Sequence, residues 1–346
     1  MPSTALDCGV RIADCGMNGG AAATDSAIRN PNASIIHVAC GVLINPQGEV
    51  LLAQRPEGKI AAGWWEFPGG KIEQGESPLQ ALTRELQEEL GVRVREARPL
   101  IRFRHEYSNR VIVLDTWCVT AFDGEPQGCE GQALRWLPVA RFAEVSPLLP
   151  TVTPIERALL APAHYVFTPP DLGLAELLAG LPRLPPQAWL RLRLPLLDAL
   201  EYTRVATGVL PLAQGLGIKL FLDREPDLVA ELGADGWHCS SAALMQRKQR
   251  PPVPLATAAV HNAAELAHAQ ALGFNAAVLG PVFDTPTHPG AETLGWQGFS
   301  SIRGEAALPV FAIGGIKPEQ LDQARAANAQ GVAGISAYWR GSLSGP

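Results

Sequence analysis

"GGKIEQGESPLQALTRELQEELGV", residues 69–92, opens on two glycines and then places five glutamates within a few turns of chain. Ser77-Pro78-Leu79-Gln80 reads as a helix start: Ser77 can cap, Pro78 takes the first helical position, and Gln80 can close a capping box. Gly91 is the natural stop. Stepped at ~100° per residue, Leu79, Leu82, Leu86 and Leu90 fall on one face, which is expected to be buried. Glu85, Glu88 and Glu89 occupy a flanking face. Like charges three and four residues apart weaken a helix by roughly 0.2–0.5 kcal/mol per pair. A solvated acidic face is one account of them. The other is a site for a hard cation beside a glycine turn, since Mg²⁺ takes oxygen ligands in octahedral geometry. Such an ion can also bridge a polyphosphate and activate a water.

The chain has 346 residues, longer than a typical domain of ~100–200 residues, so two domains are expected. Net charge is −6 and no basic stripe is present, which argues against a nucleic-acid partner. Small anionic ligands remain open. Cys8, Cys15, Cys40, Cys118, Cys129 and Cys239 are scattered, without a CxxC or a zinc-type cluster, and read as reduced thiols. No apolar stretch of membrane-spanning length and no secretory leader is found, so a cytoplasmic protein without a membrane partner is expected.

Residues 1–33 are small, polar and aperiodic and read as a disordered leader. "IIHVACGVLIN" (35–45) and "EVLLAQR" (49–55) are strand-like runs around the turn signal "PQG". After the helix, no element is assigned until "VIVLDTWCVTAF" (111–122), a long strand. "ALRWLPVARF" (133–142) reads as strand and turn, and "TPIERALL" (153–160) as a short closing helix. This α/β unit is placed at 34–161. The region 162–346 alternates strands and helices. Its strands are "HYVFT" (164–168), "AWLRLRL" (188–194), "KLFLD" (219–223), "GWHCS" (236–240), "PLATAAV" (254–260), "AAVLGPVF" (276–283), "PVFAIGG" (309–315) and "GVAGISAY" (331–338). Eight short apolar strands joined by helices predict a parallel, closed (β/α)8 barrel.

Gly70, five residues, Glu76, seven residues and then "RELQEELGV" (84–92) match the Nudix box at every fixed position. With "WEFPGGKIEQGE" (65–76) and "GCEGQALRWLP" (128–138), residues 35–160 resemble the MutT-type 8-oxo-dGTP diphosphatases. That resemblance implies an α/β/α sandwich and an Mg²⁺ enzyme, with Mn²⁺ as an alternative ion. It puts the metal on Glu85, Glu88 and Glu89 with the Gly69 backbone, and on Glu130 as further ligand or base. Arg84 would orient the carboxylates. Arg55, Gly69, Gly70 and Lys71 would meet the substrate, a small nucleotide. The implied reaction is attack of water on a nucleoside triphosphate, giving monophosphate and pyrophosphate. The family reads the oxidised guanine with an asparagine whose place here falls at Val152, a side chain without amide donor or acceptor. Base selectivity therefore stays open, and damaged or excess thiamine diphosphate or its pyrimidine pyrophosphate precursor is the alternative substrate.

"GPVFDTPTHPG" (280–290), "VFAIGGI" (310–316) and "GVAGISAYW" (331–339) resemble the thiamine-phosphate synthase and thiazole tautomerase family over about 164–340. The resemblance implies a thiamine-related phosphate held near Gly314, Gly315, Gly334 and Ser336. It also exposes losses. The family's Gln-Leu-Arg-x-Lys is Trp189-Leu190-Arg191-Leu192-Arg193, and its Asn-Asp pair is Leu222-Asp223. The second metal aspartate falls at Ala243, and the loop lysine is His288, after Thr285 and Thr287. A single donor to developing charge is worth ~3 kcal/mol, so these losses together predict that synthase turnover is gone. A tautomerase using His261 as acid–base group, a phosphate-binding module and a purely structural barrel remain, with His238 and His288 as weaker candidates. Oligomeric state is left open.

Overall fold

The computed structural model describes residues 34–285, Gly290 and residues 292–339. The expected leader, Cys8, Cys15, Thr287 and His288 lie outside the described residues. The chain divides into two compact units. One runs up to Ala97 and includes Arg104–Asp115 and Val119–Pro150; the other comprises Arg98–Phe103, Thr116–Cys118 and the chain from Thr151 onward.

The elements up to residue 160 are β1 (Ser34–Leu43), β2 (Val50–Gln54), β3 (Trp65–Glu66), β4 (Gly69–Lys71), α1 (Pro78–Leu90), β5 (Arg93–Glu106), β6 (Arg110–Asp123), β7 (Leu134–Leu137) and α2 (Val152–Leu160). They build a four-stranded sheet in the order β4-β1-β6-β5 and a three-stranded sheet in the order β3-β2-β7. The capping expectation holds at both ends of α1. Gln80 N–H donates to Ser77 Oγ at 3.3 Å and Ser77 N–H to Gln80 Oε1 at 2.8 Å. Gly91 turns left-handed with φ 69°. The buried face is Ala81, Leu82, Leu86 and Leu90, while Leu79 is 40% exposed. That corrects the expected stripe. Leu82 and Leu86 sit against β1 at Gly41, and in the first turn Ala81 takes the inward position. The short strands β3 and β4 went unassigned, and β5 is the long element missed. Its arginines and glutamates mask the alternation, and only Leu100, Ile101 and Phe103 are buried along it.

The eight expected barrel strands are the eight observed: β8 (His164–Phe167), β9 (Trp189–Leu192), β10 (Lys219–Leu222), β11 (Gly236–Cys239), β12 (Leu255–Val260), β13 (Ala276–Leu279), β14 (Val310–Ala312) and β15 (Gly331–Gly334). All pair in parallel, and β15 returns to β8 through Val332↔His164 and Gly334↔Val166, closing the barrel. The helices include α3 (Leu174–Gly180), α4 (Ala199–Gly215), α5 (Asp227–Leu232), α6 (Ser241–Gln246), α7 (Ala263–Ala271) and α8 (Gly295–Arg303). Aromatic rings fill the interior: Tyr165 lies 5.6 Å from Trp189, 5.3 Å from Phe221 and 5.5 Å from Phe311. His238 is buried beside them, its Nδ1 3.0 Å from the Tyr165 hydroxyl and 2.9 Å from the Thr257 hydroxyl. Burial drives its pKa well below the ordinary histidine value, so it is a neutral packing residue. No described helix is long and apolar enough to cross a membrane.

Candidate active site

α1 delivers its carboxylates to one arginine. Arg84 Nε and Nη2 donate to the two oxygens of Glu76 at 2.8 and 3.0 Å. Its Nη1 reaches Glu85 at 2.9 Å and Glu88 at 3.3 Å, and Nη2 also donates to the Lys71 carbonyl at 3.0 Å. Hydrogen bonds from Arg84 and from the Glu73 backbone hold the Glu76 carboxyl down to about 2. Hydrogen bonds to Glu76, then to Glu85, raise Arg84 above its ordinary value. Glu76 is the anchor that the sequence reading counted in the motif but gave no role. Its fixed spacing from Arg84 was the available signal.

Glu89 is held separately. Its Oε2 accepts the Gly69 N–H at 3.1 Å, and its main chain ties down the loop that carries Glu130. The Glu89 carbonyl accepts from Gln132 Nε2 at 2.9 Å and from Cys129 N–H at 3.0 Å, while Glu130 N–H donates to Gln132 Oε1 at 2.8 Å. Two positions 41 residues apart in sequence are thereby brought to one end of α1. Burial, then the negative charges of Glu130 and Glu85, push the Glu89 carboxyl up to about 7 against the opposing Gly69 hydrogen bond. The floor is glycine by necessity. Gly69 has φ +144°, and a Cβ there would sit 2.2 Å from the Ala39 carbonyl oxygen; at Gly70 a Cβ would sit 2.2 Å from the Glu85 carboxylate.

Among the described residues no three acidic, histidine or cysteine side chains stand in a ready ligating array. The donor set nevertheless fits a hard divalent ion. It is carboxylate oxygen throughout, backed by backbone that leaves no room for a side chain, and Glu85 and Glu130 repel a half-buried Glu89 in a way that a cation relieves. Arg55, expected to meet phosphate, is held by its own neighbours. Its guanidinium pairs with Glu66 and its Nε donates to the Ile60 carbonyl at 2.7 Å. Lys59 pairs with Glu130, a contact no spacing in the sequence announces. Lys71 is exposed. Val152 is buried in the first turn of α2 and falls in the second compact unit, so the structure does not gather it with the glutamates inside one unit.

The raised Glu89 carboxyl gives a signed expectation. A folded pKa of about 7 against an ordinary 4.5 means the native state binds the proton more tightly, so metal-free stability falls as pH rises from about 4.5 through about 7. Glu89→Gln removes that slope. In EDTA at pH 8 the variant should be more stable than the wild type by about 1–3 kcal/mol, and at pH 4 the two should match. Chemical denaturation at both pH values checks this.

The NUDIX domain family matches residues 36–161. The 8-oxo-dGTP diphosphatase of Haemophilus influenzae is 45% identical over 103 residues, covering 30% of this chain and 76% of the relative. The CTP pyrophosphohydrolase of Escherichia coli is 42% identical over 119 residues, covering 34% of this chain and 87% of the relative. The chain belongs to the Nudix hydrolases. The expected α/β unit with its box helix is thus the Nudix fold, and this Nudix hydrolase continues into a second family. Thiamine monophosphate synthase matches residues 168–338. The thiamine-phosphate synthase of Thermosynechococcus vestitus is 28% identical over 200 residues, with 54% of this chain and 55% of the relative covered, about half that relative's length.

In the Nudix hydrolase's barrel, a cavity of about 810 Å³ brings together Arg191, Arg193, His261, Thr285, Gly314, Gly315, Gly334 and Ser336. Asp223 is not in its wall; it pairs with Arg191 at 2.9 Å. His261 is exposed and stands 3.2 Å from Glu265. Gly314 and Gly315 have φ +101° and +63°, and side chains there would strike Pro281 and the Asp284 carbonyl at 2.7 and 2.6 Å. Packing against residues 281–284 alone requires those two glycines. Lys317 and Phe167 also line it and were not read from the sequence.

Proposed function

We propose that the Nudix unit hydrolyses a nucleoside triphosphate to monophosphate and pyrophosphate, that it needs Mg²⁺ with Mn²⁺ able to substitute, and that 8-oxo-dGTP is its preferred substrate. The observation that carries the reading is the arrangement around Arg84 and Gly69, which holds Glu85, Glu88 and Glu89 on one side of α1. A divalent cation bound by these carboxylates and Glu130 would bridge phosphate oxygens and acidify a water. Arg84 fixes the rotamers of Glu85 and Glu88, so little side-chain freedom is lost on binding. Gly69 N–H aims Glu89. Glu130, half exposed on its tethered loop, would take the water's proton. The expected setting is cytoplasmic, consistent with the free thiols of Cys40, Cys118, Cys129 and Cys239.

The names of the relatives support this substrate class, and they also divide between an oxidised purine and a pyrimidine nucleotide. Val152 offers only apolar contact. The synthase domain behind the hydrolase favours a second reading, in which thiamine diphosphate or its pyrimidine pyrophosphate precursor is cleaved. Pure protein with Mg²⁺ and a panel of 8-oxo-dGTP, dGTP, CTP and thiamine diphosphate decides between them. The first reading expects kcat/KM for 8-oxo-dGTP at least about 10-fold above every other member, a difference of about 1.4 kcal/mol. Equal rates on all nucleotides contradict it, and a preference for thiamine diphosphate replaces it with the second. The barrel is proposed to lack synthase turnover, so no thiamine monophosphate should form from the pyrimidine pyrophosphate and the thiazole phosphate.

A further inference from the structure

We propose that the barrel cavity is a cation-independent site for a phosphate group, with Arg191 standing in the divalent ion's place at Asp223 and Arg193 left to hold the anion. The inference concerns the second unit alone and stands or falls apart from the hydrolase reading.

It starts from a misfit. The synthases that the barrel resembles hold Mg²⁺ between two acidic side chains at strand ends, and here one of those positions is Ala243. The survivor is occupied. Asp223 Oδ2 accepts from Arg191 Nη2 at 2.9 Å and from Nε at 3.2 Å, and its Oδ1 accepts the Tyr202 hydroxyl at 3.3 Å. Only 14% of the Arg191 side chain and 12% of that of Asp223 are exposed. The guanidinium is also packed over the Phe167 ring, 4.9 Å from its centroid. Seating a divalent ion on Asp223 would press a second positive charge against Arg191 at a carboxylate that the guanidinium already neutralises, with no second acid at Ala243 to offset it. The residues present do not fit the family's metal.

The second observation is what the pair leaves over. Arg193 lines the same cavity two residues further on, and among the described residues its guanidinium has no hydrogen-bond or ion-pair partner. Its backbone is clamped to the rim. Arg193 N–H donates to Thr168 Oγ at 2.8 Å, and the Thr168 hydroxyl donates back to the Arg193 carbonyl at 3.0 Å. Partial burial, then the neighbouring Arg191 charge, lower its pKa below the ordinary arginine value against a smaller opposing pull from Asp223. A half-sheltered cation with no ion-pair partner among the described residues, mounted on a fixed backbone beside a second arginine, is an anion anchor. The acids of the wall, Asp284 and Glu319, come from the loops after β13 and β14, away from the β9 end where Arg193 sits. A phosphate at the β9 end with a body turned toward those acids is the chemistry the cavity matches, and about 810 Å³ is room for a ligand of drug size.

Isothermal titration of the full-length protein in EDTA, with thiamine monophosphate and separately with inorganic pyrophosphate, tests this. A parallel Mg²⁺ series uses the Glu88→Gln/Glu89→Gln variant, so that the hydrolase site stays silent. At least one probe should bind in EDTA, with Kd changed less than about 3-fold by Mg²⁺. Binding of the ester alone identifies an organic phosphate as the ligand; binding of pyrophosphate alone identifies the bare anion. Arg193→Met should weaken binding about 10- to 100-fold, and Arg193→Lys should recover part of it. Asp223→Asn should keep or tighten binding, because Arg191 becomes available to the anion, whereas a metal site would be lost. Thermal melting of each variant excludes unfolding. Failure of both probes in EDTA, binding that needs Mg²⁺, or binding that survives Arg193→Met would overturn the proposal.

Discussion

Replacing Glu88 and Glu89 together with glutamine is expected to reduce Mg²⁺-dependent release of pyrophosphate on the order of 10³-fold or more, with far-UV and thermal signatures of a folded protein retained. The size follows from what the two side chains do. Glu89 is the half-buried carboxylate at the glycine floor, and Glu88 is the exposed one steered by Arg84. Glutamine keeps the shape and the acceptor toward Gly69 N–H but removes both formal charges, so the hydrogen bonding that positions α1 should survive while attraction for a cation does not. The loss should lie in kcat/KM at fixed Mg²⁺, and raising Mg²⁺ should restore only part of it. Measured alone in EDTA at alkaline pH, Glu89→Gln should be the more stable protein. A single substitution that stabilises the metal-free fold and removes activity is the signature of a carboxylate kept in an unfavourable place for a ligand's sake.

The second large effect is expected from Gly69→Ala. The backbone there has φ +144° and a Cβ would lie 2.2 Å from the Ala39 carbonyl oxygen and 2.8 Å from Cys40 Cα, both main-chain atoms of β1. Neither can move away without breaking the β1–β4 pairing at Cys40↔Gly69. Strain at such a φ costs about 1–3 kcal/mol, and the clash adds to it. A destabilisation of about 3 kcal/mol or more is expected by urea denaturation, together with loss of the Gly69 N–H bond to Glu89 and of most activity. Gly75→Ala is the control. Gly75 also has positive φ, +89°, but nothing lies within 4 Å of its Cβ position, so about 1 kcal/mol and full activity are expected. Equal effects at the two positions would contradict the close-approach account.

Much of this architecture was legible in the residues, because its signals are local. The caps of α1 need only Ser77, Pro78, Gln80 and Gly91. The barrel strands are short apolar runs that turn signals separate, and burial on both faces makes them easy to see. β5 was not legible: Arg93, Arg95, Arg98, Arg102 and Arg104 crowd it, and its apolar content is confined to a short segment. The same limit governs the site. The box names Glu85, Glu88 and Glu89 by spacing, but their partners are long-range. That Glu130 arrives through the Gln132–Glu89 bridge, that Lys59 pairs with it, and that Arg55 is engaged by Glu66 depend on loops whose approach no periodicity encodes. In the barrel, the loss of an acid at Ala243 could be read from sequence, while the pairing of the remaining Asp223 with Arg191 required three dimensions.

The central claim is that the carboxylates of α1 seat a divalent ion, and direct binding tests it without relying on turnover. Titration of the metal-free protein with Mn²⁺, followed by electron paramagnetic resonance of the free ion, should show at least one site in the wild type. Glu88→Gln/Glu89→Gln should lose it, with affinity falling at least about 10-fold. Unchanged Mn²⁺ binding in that variant would contradict the account.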